Sequence, residues 1–209
     1  MIPASPTLAA AMRRFEAARA AAREVAQGLS EEAFHAVPPT GGWSVGHCLE
    51  HLVVADGRML ERLEAAIARS RAEGRLAAPE AVRAPVRLSW FDRLFIAATA
   101  PGRAGAGPRM KVSVREPFDP GDPVARGRTR DQVLADFLAM QDRLDAAAGA
   151  ADGLDLAGIQ VQSVLAAWMK VSLGGWFLAI AGHQERHLDQ ARRARAAVEG
   201  PIKTRVGGP

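Results

Sequence analysis

The sequence predicts an all-α fold, a four-helix bundle, and three observations predict it. Four long stretches carry apolar residues at three- and four-residue spacing, the period of a helix with one buried face. Capping residues, glycines and prolines punctuate their ends. A long irregular stretch, about residues 75 to 128, separates the second helix from the third, as a crossover does in a bundle. With 209 residues and 48% hydrophobic content, the chain is long and apolar enough to bury one core. The reading is a single domain over 1–209, with its core at about 7–198.

The first helix runs from Thr7 to about Gln27. Leu8, Met12, Phe15, Ala18, Ala22 and Val25 share one stripe, and Gly28 stops it. Ser30 followed by Glu31 and Glu32 reads as an N-cap and an acidic first turn, so a short helix starts there and Pro38 and Pro39 end it. Gly41 and Gly42 mark a turn, and Ser44 caps a second long helix that reaches about Ala72, before Gly74. Its stripe is Cys48, Leu52, Met59, Leu63 and Ile67, widened by Val45, Leu49, Val53 and Leu60. In the crossover, Trp90 to Ile96 fits a short helix and Lys111 to Val114 an extended segment. Pro117, Pro120 and Pro123 exclude regular structure around them. The crossover is expected to pack over one end of the helices. Thr129-x-x-Gln132 is a capping box, and Val133, Phe137, Met140 and Leu144 carry a third long helix that ends before Gly149. A loop over 150–160 and a short apolar helix over Val161 to Met169 follow. Ser172 caps the last long helix, which Trp176, Phe177, Ile180 and Leu188 anchor and Gly200 and Pro201 end.

Composition excludes several classes. The net charge of +4 is mild and the arginines are interspersed with acids, so no nucleic-acid face stands out. Only Arg186 to Arg195 is locally basic, and it reads as a solvated helix end, where cations suit the dipole. Cys48 is the single cysteine, so no intrachain disulfide forms and a reducing compartment is expected. The first residues lack the basic and apolar regions of a secretory signal. The longest apolar run, Val171 to Gly182, is too short to span a bilayer. The expectation is a cytoplasmic protein without a membrane partner.

The chemistry lies in the histidines. His183 and His187 are four residues apart, about 400° of helix, so both imidazoles lie on one face. That spacing offers two nitrogen ligands to one ion. His51 lies near the apolar side of the second long helix, three residues after Cys48. Bundles build metal sites from inward side chains of adjacent helices, and three imidazoles with open positions form the catalytic rather than the structural pattern. A zinc peptidase is disfavoured. Its general-base glutamate would stand at Gln184, and Glu185 points about 200° round the helix from His183. His47 is read as a rim or solvent residue rather than a fourth ligand. Cys48 is read as a small core residue rather than a nucleophile, and Glu50 as a surface ion-pair partner rather than a base. Trp43 is expected to anchor packing at the helix start. Arg186 is expected to form a structural ion pair or to meet an anionic substrate. His35 has no assigned role.

Trp43-Ser44 ahead of His51-Leu52, with His183-x-x-Arg186-His187-Leu188-x-Gln190 near the C-terminus, resembles the DinB-like (YfiT-like) superfamily of metal-dependent bundle proteins. Lys111-Val-Ser-Val and Pro117-Phe118-x-Pro120 are similar to that family's crossover, and the resemblance covers roughly Thr7 to Ala197. It implies helices in up-down-down-up order and a divalent metal held by His51, His183 and His187. Zinc or nickel come foremost, though three imidazoles also suit copper or iron. It further implies a thiol-dependent transferase that uses a low-molecular-weight thiol on a small electrophile. A metal-dependent hydrolase and a non-catalytic stress or binding protein are the alternatives. No catalytic side chain is assigned. The expected partners are a small-molecule substrate and a second copy of the chain in a homodimer.

Overall fold

The computed structural model describes residues 3–102, 127–164 and 168–200. Among these, α1 spans Pro6–Ala26, α2 Glu31–His35, α3 Val45–Ala72, α4 Pro79–Val82, α5 Trp90–Thr99, α6 Arg130–Ala151 and α7 Leu173–Glu199. A two-stranded antiparallel ribbon of β1, Gln160–Gln162, and β2, Lys170–Ser172, precedes α7. The fold is all-α, a helical bundle.

Local chemistry sets the boundaries. Pro6 stands at the start of α1, where its missing N–H costs nothing. Ser30, Ser44 and Ser172 each accept a backbone N–H with the side-chain oxygen, at the starts of α2, α3 and α7. Thr129 and Gln132 close the expected capping box on α6. Gly28 and Gly74 take positive φ just past α1 and α3.

The long helices α1, α3, α6 and α7 form four adjacent pairs, with α3 and α1 each flanked by α6 and α7. Arg14 pairs with Glu185 and Arg192 with Glu24, so α1 and α7 advance in one sense. Arg143 pairs with Glu64, and Arg71 donates to the Ala150 carbonyl, so α3 and α6 advance together. Arg19 meets Asp142 and Asp145, while the Ala4 N–H reaches Asp152, so α1 and α6 are opposed. Between them lie Phe15, Phe137, Phe177, Leu8, Leu52, Leu60, Leu63 and Leu144, all fully buried. Each such side chain contributes about 1.5–3 kcal/mol by leaving water.

Three expectations are corrected. First, α6 continues through Gly149 to Ala151. The stop is Gly153, at φ +85°, after the C-cap Asp152, whose carboxylate also accepts the Ala4 and Ser5 N–H groups. Second, the described part of Val161 to Met169 is not a helix. Gln160–Gln162 is strand β1, and the Val161 carbonyl accepts the indole N–H of Trp176 at 3.0 Å. A short apolar run has too few residues for its period to separate strand from helix.

Third, the described part of the crossover holds, besides the expected helix at Trp90, which is α5, the short helix α4. Rather than covering one end of the bundle, α5 lies along the first half of α7. Asp92 accepts the Ser172 N–H, Phe95 packs edge-on against Trp176, and Thr99 and Ala100 come against Gly182. The expectations at Lys111–Val114, Pro117, Pro120, Pro123 and Pro201 lie outside the described residues.

Candidate metal centre

The periodicity of α3 that buries Cys48, Leu52, Met59 and Leu63 also brings His51 and Asp56 inward, at 4% and 3% exposure. On α7 the four-residue spacing sets His183 and His187 one turn apart. Because α3 and α7 pack side by side, the three imidazoles meet. The Nε2 atoms of His51 and His183 are 3.2 Å apart. The ring centroids of His187 lie 4.6 Å from both others. One nitrogen from each ring lies within 4.8 Å of the others. A tetrahedral zinc site with bonds of about 2.0–2.1 Å needs its nitrogens about 3.3 Å apart, so a small inward rotation closes the set.

The far nitrogens of two rings are also engaged. His183 Nδ1 lies 2.8 Å from Asp56 Oδ1, and Asp56 Oδ2 accepts the Gln184 amide N–H at 3.1 Å. His187 Nδ1 lies 3.2 Å from Gln190 Oε1. With protons on those Nδ1 atoms, the Nε2 lone pairs turn towards one another, and a shared cation relieves that juxtaposition. Burial, reinforced by His183, His51 and Arg186, holds His187 far below the ordinary histidine range, so its imidazole is neutral and fit to ligate. Trp43 stacks on His187 with centroids 5.5 Å apart and tilts over His51 at 4.8 Å. The indole therefore walls the cluster as well as anchoring the start of α3. The side chain of His183 is 21% exposed and marks the open approach. Three histidines from two helices, two of them held from behind, fit a divalent ion.

The other residues singled out from sequence divide. His47 is half-buried and its Nδ1 lies 2.8 Å from Ser44 Oγ, outside the cluster. Cys48 is fully buried, and burial pushes its thiol up to about 12, which makes it a core residue. Glu50 is an ion-pair partner, but not on the surface. It is fully buried, and Arg128 grips both its oxygens at 2.7 and 2.9 Å. Arg186 donates to the Ala98 carbonyl at 3.1 Å, near the end of α5. Glu185 faces away from the histidines and forms a two-point ion pair with Arg14. His35 packs edge-on against Phe34 beside Gly46. The residues that sequence reasoning missed are Asp56 and Gln184. The signal for Asp56 was there, since Leu52, Asp56, Met59 and Leu63 form one stripe in which a lone acid interrupts apolar residues.

Two clefts lie away from the cluster. One of about 480 Å³ is lined by Glu24, Arg192 and Arg195, and one of about 330 Å³ by Ser5, Pro85 and Leu156. No helix among the described residues is long and apolar enough to cross a membrane. The sequence profile of a family described as the DinB superfamily matches residues 14–191, a span that holds all three histidines. Neither a curated protein nor a solved structure gives a significant match.

Proposed function

The chain belongs to the DinB superfamily, and from that membership and the histidine cluster we propose a divalent-metal-dependent transferase that uses a low-molecular-weight thiol on a small electrophile. His51, His183 and His187 would hold the ion, with zinc or nickel foremost. A divalent ion supplies a lowered thiol pKa, so that a thiolate is available at neutral pH.

The observation that favours thiol chemistry is the state of the nearby carboxylates. A hydrolase would need a general base to activate water. Asp56 is held by His183 and Gln184, Glu50 by Arg128, and Glu185 by Arg14. Among the described residues, these carboxylates are thus committed to a cation or a ring N–H. A thiol whose pKa is already lowered needs no such base. In this reading the chain's residues do three things. Asp56 and Gln190 hold the protons of His183 and His187 on the sides away from the site. Trp43 shields His51 and His187 from water. The exposed edge of His183 admits the reactants.

Elemental analysis of the untagged protein tests the first step. One divalent ion per chain is expected, and none in His51→Ala. Consumption of a chromogenic electrophile should then require added thiol and should disappear in His187→Ala. Turnover without thiol would favour the hydrolase. Ligand retention after chelation, with no turnover, would favour a binding protein. The proposal includes a homodimer, and a light-scattering mass near that of one chain, 22.2 kDa, would remove that part.

A further inference from the structure

Asp56 is a carboxylate taken almost wholly out of water, at 3% exposure, in the core stripe of α3. Such a group is costly unless its oxygens are satisfied. Here both are, and by consecutive residues of the neighbouring helix. His183 Nδ1 meets Oδ1 at 2.8 Å, and the fully buried Gln184 donates through Nε2 to Oδ2 at 3.1 Å. An ionised carboxylate can only accept, so the proton in the first contact resides on His183 Nδ1. Whenever that ring is neutral, its lone pair lies on Nε2, the atom 3.2 Å from His51 Nε2.

The three imidazoles are not served alike. His187 is 8% exposed, is covered by Trp43, and leans on a neutral amide oxygen of Gln190 at 3.2 Å. His183, with a side chain 21% exposed, has more room to turn than His187 and meets a carboxylate in place of an amide. We propose that Asp56, itself held by Gln184, is the positioning residue that keeps the proton on His183 Nδ1 and so aims His183 Nε2 into the space shared with His51 and His187. The proposal rests on reading the cluster as a metal centre. Its claim about the His183 proton does not need a bound ion.

Two measurements on Asp56→Asn and Asp56→Ala decide it. The first is nitrogen-15 NMR of the imidazoles in metal-free protein, at a pH where they are neutral. The wild type should show His183 protonated on Nδ1. Asp56→Asn should keep that tautomer, because an amide oxygen can still accept and the Gln184 amide can turn its oxygen to meet the new N–H. Asp56→Ala should show a mixture with Nε2–H. The second is zinc affinity by competition with a chromogenic chelator, which should fall about tenfold in Asp56→Asn and about a hundredfold in Asp56→Ala. A purely structural Asp56 would change stability and leave the tautomer where it was. An Nε2-protonated His183 in the wild type overturns the proposal, as does an affinity in Asp56→Asn equal to the wild type. If Asp56→Ala does not fold, the wild type and Asp56→Asn still decide. If the wild type binds no zinc, the metal-centre reading fails, while the NMR result still judges the role of Asp56.

Discussion

Cys48 precedes a candidate ligand by only three residues, yet its environment takes it out of the chemistry. The side chain has no exposure and burial pushes the thiol up to about 12 from an ordinary 9.0. A maleimide at pH 8 should leave native protein unlabelled and should label it fully in urea. Labelling of native protein at the denatured rate would put Cys48 at the surface and undo its assignment to the core. The same shift has a sign for stability. The folded state keeps the thiol proton after the unfolded chain has released it, so stability is complete below pH 9 and drains away as pH rises towards 12. Urea midpoints at pH 8.5 and 10.5 should therefore diverge more in the wild type than in Cys48→Ala. At this scale the histidines were legible, because one face of a helix follows from spacing alone. Asp56 and Glu50 were harder. Their burial depends on Gln184 and Arg128, residues of other elements that no spacing within α3 reveals.

Asp92 ties two helices together at their starts. Its carboxylate accepts the N–H and hydroxyl of Ser89, closing a capping box on α5, and it accepts the Ser172 N–H at the cap of α7. A Cβ on Gly175 would meet Ser172 Oγ at 2.9 Å and Asp92 Oδ1 at 3.1 Å, so the junction leaves no room for a side chain there. Asp92→Ala removes one cap, worth about 1 kcal/mol, and leaves the buried Ser172 N–H without its acceptor. The expected loss is about 2–4 kcal/mol in urea unfolding. A change under about 0.5 kcal/mol would mean that the junction contributes little. The contrast between this junction and the ribbon explains what was readable among the elements. Caps at Ser30, Ser44, Thr129 and Ser172 join a side chain to a backbone group three residues on, so sequence displays them. The pairing of Val161 with Val171 joins separate strands, and the docking of α5 along α7 joins residues 80 apart in the chain. Neither leaves a local periodic trace.

Over the whole molecule, the cluster is a bond between α3 and α7. A ligand that binds only the folded state stabilises it by about 2.7 kcal/mol at one hundred times its dissociation constant. Saturating zinc should therefore raise the thermal midpoint of the wild type and leave that of His51→Ala unmoved. An equal rise in both would place the ion elsewhere. That bond has a further consequence for how the protein is made. His51 and His183 are 132 residues apart in the chain. At ordinary ribosomal speed, the earlier ligand waits on the order of ten seconds for the later pair to be synthesised. Until then a nascent chain offers a passing ion only one of the three clustered imidazoles. On the proposed reading, the closed geometry of the finished bundle would decide which metal is captured, not whichever ion the emerging chain meets first.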